Sequence, residues 1–146
     1  METEIRIDEE YSKPKAVIFT AEITDEVNDA VKRLSAHTAK VLTGFRENMM
    51  TVLEPADIVR IYSAGGKVYA VSQEGEFILR QRLYELEEML AGTELVRISN
   101  SELVNLKKVK GFDLSLAGTI CVKMKDGSVT YVSRRFVAKI KKILGL

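Results

Sequence analysis

Two runs in the final third of the sequence combine cations with hydrogen-bonding side chains: Arg97-Ile98-Ser99-Asn100-Ser101 and Ser133-Arg134-Arg135. The first offers a guanidinium, two hydroxyls and an amide at the end of a predicted strand, entering a turn. Asn can bond an adenine edge bidentately and Arg a guanine edge, although Asn beside Ser is also an ordinary turn pair. The second run opens a predicted helix, where two cations oppose the positive end of the helix dipole at a cost of a few tenths to about 1 kcal/mol each. Phosphate reverses that penalty, because free N–H groups and guanidinium forks then converge on one anion. Lys139, Lys141 and Lys142 lie near the other end of the same helix, where the dipole favours cations without any ligand.

Charge is strongly divided along the chain. The formal net charge is +1, yet residues 96–146 hold 11 Lys and Arg against three acids (Glu102, Asp113, Asp126), while residues 1–95 hold 11 against 18. Such segregation creates a local positive field for which a polyanion is the natural partner. A solvated basic face on a helix and a hairpin is the bland alternative, and composition leaves both open.

Other chemistries are poorly represented. One His and one Cys cannot build a His/Cys metal site, and no carboxylate set has the usual ligand spacing. Walker loops, dinucleotide fingerprints and Gly-x-Ser-x-Gly elbows are missing from the sequence. Ser63-Ala64-Gly65-Gly66-Lys67 supplies a hydroxyl and an ammonium but no activating base. No enzyme activity, catalytic residue, metal or cofactor is expected. With 146 residues, 46% hydrophobic and 29% charged, the chain can bury one domain core and is not biased enough for disorder. No apolar run reaches the roughly 18 residues a membrane helix needs, and the acidic N-terminus does not resemble a signal peptide. Cys121 has no intrachain disulfide partner, so a cytoplasmic location is expected.

The elements that must position these residues begin with a strand–strand–helix extension over residues 1–44. Ile5 and Ile7 alternate with charged neighbours, and Lys15–Thr20 is a second strand candidate. Thr24 caps a helix whose Ile23, Val27, Val31 and Leu34 recur at helical spacing to about Ala39. His37, near the end of that helix, has no partner constellation and reads as a surface or capping group. Short strands follow at 49–53, 58–62, 67–71 and 76–79, with Ser63–Gly66 turning between the second and third. A helix carries Leu83, Leu86 and Leu90 on one face, a solvated face with Glu85, Glu87 and Glu88, and Gly92 as its stop. Residues 95–98 form a strand, Ser101 caps one helical turn through Asn105, and strands are expected at 113–116 and 119–124. Asp126-Gly127 makes a tight turn into 129–132, and Ser133 caps a final helix with Val137, Ile140 and Leu144 inward. Cys121 and Met49-Met50 read as packing residues.

The stretch Leu95–Leu106 resembles the signature of the LytTR family of DNA-binding domains, with its Arg-x-x-x-Ser-x-x-Val-Asn-Leu core. The resemblance continues through Asp126-Gly127-Ser128 and the closing Val132-Ser133-Arg134-Arg135-Phe136-Val137. Upstream, Asp57–Ile61 and Arg82–Leu86 fit in order and spacing. The family consists of bacterial transcription regulators, built mainly from β-strands, that bind direct-repeat promoter elements through loops in successive major grooves. The resemblance therefore implies an α+β chain with a predominantly β DNA-binding domain over residues 45–146 and short helices.

It further implies double-stranded DNA as partner and base contacts from three loops, at Gly66 or adjoining Lys67, at Asn100 and at Arg135. The last two match the family in residue type. Gly66 departs from it, since members can carry His there, and Lys67 then offers a phosphate contact instead. Arg97, Ser101, Lys107 and Arg134 are the expected phosphate contacts. Residues 1–48 are too short for the receiver domain many members carry, so a stand-alone type is expected, with the extension packing on the domain or forming a homodimer. The resemblance also implies, for some such regulators, an inhibitory membrane protein as partner. A protein-interaction module that antagonises other regulators is the competing reading. RNA binding is disfavoured by the absence of an aromatic cluster in the basic region.

Overall fold

A computed structural model describes residues 1–35 and 41–146, in two units spanning residues 1–39 and 40–146. Among its described residues the N-terminal unit contains one helix, α1 (Asp25–Ser35). Thr24 starts it: its hydroxyl accepts from the Val27 N–H at 3.3 Å and its carbonyl from the Asn28 N–H at 3.0 Å. Asp25 and Glu26 in the first turn and Lys32 and Arg33 in the last complement the dipole. The N-terminal amine pairs with Glu26 at 2.9 Å. The two strands expected at Ile5–Ile7 and Lys15–Thr20 do not form, and residues 1–24 contain no strand. A lone pair of strands is barely stable in water without further strands or a covering helix, and Ile5, Ile7 and Phe19 are all more than nine-tenths exposed. His37 and the expected end of the helix lie outside the described residues.

The second unit is a strand-rich sandwich of unequal sheets. Its elements are β1 (Thr43–Arg46), β2 (Met49–Val52), β3 (Ile58–Ala64), β4 (Lys67–Ser72), β5 (Gly75–Leu79), α2 (Leu83–Met89), β6 (Leu95–Ser99), β7 (Glu102–Asn105), β8 (Val109–Asp113), β9 (Ile120–Met124), β10 (Val129–Val132) and α3 (Arg134–Ile143). Seven strands pair antiparallel in the order β2-β1-β5-β4-β3-β7-β6, and three more in the order β10-β9-β8. β1 begins at Thr43, so the boundary expected between residues 44 and 45 falls inside this strand. None of the helices among the described residues is long and apolar enough to cross a membrane.

Two cores result. One face of the large sheet (Ile61, Ala70, Phe77, Leu79, Leu103) packs with Leu83, Leu86 and Leu90 of the α2 segment. The second core joins Ile98 and Val104 to Ile120, Val122, Met124 and Val132 of the small sheet and Ile140 of α3. β7 lies between them, with Leu103 in the first core and Val104 in the second, and all four of its residues are buried. The helical turn expected after Ser101 is therefore replaced by a strand. A strand buried on both faces loses the polar alternation that identifies one in sequence. Asn105 ends β7 fully buried. Its Nδ2 donates to the Ile58 carbonyl at 2.8 Å and its Oδ1 accepts the Lys107 N–H at 2.9 Å, capping a 3-10 turn at Leu106–Lys108.

The strand expected at 113–116 lies earlier, at 109–113, because Val109 and Phe112 are the residues that reach the second core. Leu114 and Leu116 are exposed. The two sheets are also tied by polar groups. Thr130 Oγ1 donates to Glu102 Oε2 at 2.6 Å, while Arg60 Nε lies 3.1 Å from Glu102 Oε1 without the alignment of a hydrogen bond.

Candidate nucleic-acid interface

Backbone pairing brings three loops to one end of the large sheet. Tyr62 of β3 pairs with Glu102 of β7, and the Ser63 N–H donates to the Ser101 carbonyl at 2.9 Å. The β3–β4 turn and the β6–β7 turn thus share an edge. The Ser133 N–H donates to the Ile98 carbonyl at 2.9 Å, which anchors the start of α3 beside the end of β6. In the first loop Gly65 and Gly66 have φ of +57° and +77° between Ala64 and Lys67. Two successive positive φ values are what a two-residue hairpin with native twist requires, and glycine adopts them without strain.

Asn100 and Arg135 meet directly, although 35 residues apart. Arg135 Nη1 donates to Asn100 Oδ1 at 3.3 Å, both side chains being exposed. That contact leaves the Asn100 NH₂ and the remaining Arg135 N–H groups free of partners among the described residues. Ser99 and Ser101 shape the same turn. Their hydroxyls are 3.3 Å apart, and Ser99 Oγ accepts the Ser101 N–H at 3.2 Å.

Arg97 acts inside this loop. Its Nε donates to the Ser99 carbonyl at 2.8 Å, Nη2 to the Asn100 carbonyl at 2.9 Å and Nη1 to Glu87 Oε2 at 3.0 Å. The side chain is only 14% exposed and lies 5.9 Å from the centre of the Phe136 ring. Each of the three Arg97 nitrogens thus donates one hydrogen bond within the domain, which leaves one N–H on each of Nη1 and Nη2. Arg134 and Lys67, by contrast, are exposed and have no hydrogen-bond or ion-pair partner among the described residues. Lys107 is not brought to this end, because it follows the opposite end of β7, about 10 Å of strand away at roughly 3.4 Å per residue.

Glu87 of α2, expected on a solvated face, receives Arg97 and lies 3.9 Å from Lys139 Nζ of α3. No local signal could have revealed this, since its partners lie 10 and 52 residues along the chain. Near the first loop, Tyr62 donates its hydroxyl to Glu76 and stacks on Tyr69 with ring centres 5.2 Å apart. The Glu76 carboxylate is the main cause of a raised Tyr62 pKa, with burial second. Three cations, an amide and two hydroxyls thus line one exposed edge.

Comparison with known proteins identifies the family and the fold. The family model of the LytTr DNA-binding domain matches residues 48–145. A protein of Staphylococcus aureus strain MRSA252, named as an HTH-type transcriptional regulator, is 34% identical over 145 residues, covering 99% of this chain and 92% of its own. Its counterpart in strain MSSA476 is 33% identical over the same shares. The LytTr DNA-binding domain of a Bacillus cereus response regulator has the same fold, with a TM-score of 0.69 at 20% identity over 74% of this chain and 100% of that one. The helix-turn-helix in the relatives' names has no counterpart among the described residues here, where strands separate the three helices. By its matched span and its end-to-end relatives, this chain belongs to the LytTR DNA-binding domain family.

Proposed function

We propose that the chain is a sequence-specific transcription regulator that inserts the loops at this sheet edge into successive major grooves of a direct-repeat promoter element. The observation that carries the reading is the Arg135–Asn100 contact, with Arg97 holding the Asn100 backbone from below. An amide and a guanidinium, the two side chains best suited to bidentate base readout, stand together on an exposed edge. Asn100 and Arg135 read bases, and Arg134, Ser101 and Lys67 position the protein on phosphates. Gly66 has no side chain with which to read a base, so its loop contributes backbone N–H groups and the adjoining Lys67 ammonium. Arg97 is a positioning residue and Lys107 lies outside the contact set.

The test is selection of bound duplexes from a random pool, followed by titrations of cognate and scrambled duplexes with variants. Asn100→Ala and Arg135→Ala should relax preference at one base pair each. Arg134→Ala should weaken all duplexes alike and lower the salt slope by about one. A pool that yields no enriched sequence would overturn the reading.

A further inference from the structure

We infer that residues 15–20 of one copy add as an eighth strand to the β2 edge of a second copy, making a reciprocal homodimer. The argument starts from two unfinished pieces of sheet in one sequence. Lys15-Ala16-Val17-Ile18-Phe19-Thr20 has strong strand propensity, but none of its backbone N–H or carbonyl groups has a backbone partner among the described residues, and Val17 and Phe19 are 60% and 94% exposed. β2 is the outer strand of the large sheet. Edge strands are normally protected by charge, proline or a bulge. Met49-Met50-Thr51-Val52 has none of these, and Met49, Met50 and Val52 are 70%, 64% and 62% exposed.

Charge and side-chain pattern select one register. Lys13 and Lys15 lie at the start of the segment, and Glu54 follows β2. Antiparallel pairing with Val17 opposite Val52 and Phe19 opposite Met50 brings Lys15 to Glu54, while Glu22 falls beyond the paired residues, beside the β1–β2 turn. In that register Val17 and Phe19 fall on the same face as Met50. The cross-strand row from Met50 through Phe45, Ile78 and Tyr69 to Tyr62 lies on this face. The added strand therefore lengthens an apolar row that the small sheet leaves open, and backbone bonding supplies affinity as in other strand-addition complexes. A second copy is the fitting occupant because one chain carries both halves of the match. The inference does not depend on DNA binding.

Disulfide trapping in the intact chain tests it. Phe19→Cys and Met50→Cys chains are mixed and oxidised, with Ile18→Cys plus Met50→Cys as the opposite-face control; the native Cys121 is buried. Sedimentation of the unmodified chain should give twice the 16.4 kDa monomer mass at tens of micromolar. The Phe19/Met50 mixture should form a mixed disulfide dimer at least severalfold faster than the control, and Val17→Asp with Phe19→Asp should sediment as a folded monomer. Three results would overturn the inference: a monomeric native chain, equal trapping in both mixtures, or a doubly substituted Phe19→Cys, Met50→Cys chain that closes on itself as a monomer.

Discussion

Replacing Arg97 by alanine separates a positioning role from a phosphate contact. The substitution removes donors from the Ser99 and Asn100 carbonyls and the partner of Glu87. Water can reach the Asn100 carbonyl in its exposed turn, and Glu87 is 40% exposed, so the ion pair contributes at most about 1 kcal/mol. With two lost hydrogen bonds at about 0.5–1.5 kcal/mol each, the expected loss of stability is about 2 kcal/mol. The effect on DNA binding comes from the released turn. Ordering part of a three-residue loop on binding costs roughly 1–2 kcal/mol, a 5- to 30-fold weaker association. The salt dependence should not change, because no phosphate contact is removed. Fluorescence titrations at four salt concentrations give both quantities, with Arg134→Ala alongside as the phosphate standard. A salt slope that falls by about one unit in Arg97→Ala, as in Arg134→Ala, would refute the positioning argument.

Asn100→Ala and Arg135→Ala should each cost about 1–3 kcal/mol on the cognate duplex, and the double variant should lose less than the sum because the two side chains are in contact; a full cycle of titrations measures the coupling. Asn105→Ala should destabilise the fold by about 2–4 kcal/mol in urea unfolding, since it strands the Ile58 carbonyl and the Lys107 N–H of a buried site. Tyr62 should ionise above the ordinary tyrosine range, with its hydrogen bond to Glu76 as the leading cause. A raised folded-state pKa means that this contribution to stability is fully present below pH about 10 and is lost as pH rises through the folded value. Absorbance titration of Glu76→Gln should show one tyrosine shifted downward.

The β3–β4 hairpin was legible because alternating side chains and a Gly-Gly pair are local signals of a half-buried strand and a positive-φ turn. β7 was not, because burial on both faces erased its period. The strand expected at Lys15–Thr20 rests on propensity at Val17–Phe19, but propensity does not supply the neighbouring edge that a strand needs. Asn100 and Arg135 stood out by residue type, while their contact depends on the Ser133–Ile98 hydrogen bond that docks α3 against β6. Arg97 and Glu87 illustrate the converse. Residue type alone does not show that Arg97 donates to the Ser99 and Asn100 carbonyls and to Glu87, because those partners are set by the fold.

The most direct measurement of the central claim is a map of backbone amide shifts of the intact chain on adding the selected duplex. The account predicts that the largest changes fall on Gly65–Lys67, Ser99–Ser101 and Ser133–Arg135, with Lys107–Lys110 little changed. Largest changes at Lys107–Lys110 or on the open sheet face around Phe45 and Ile78, with the three loops unmoved, would contradict it.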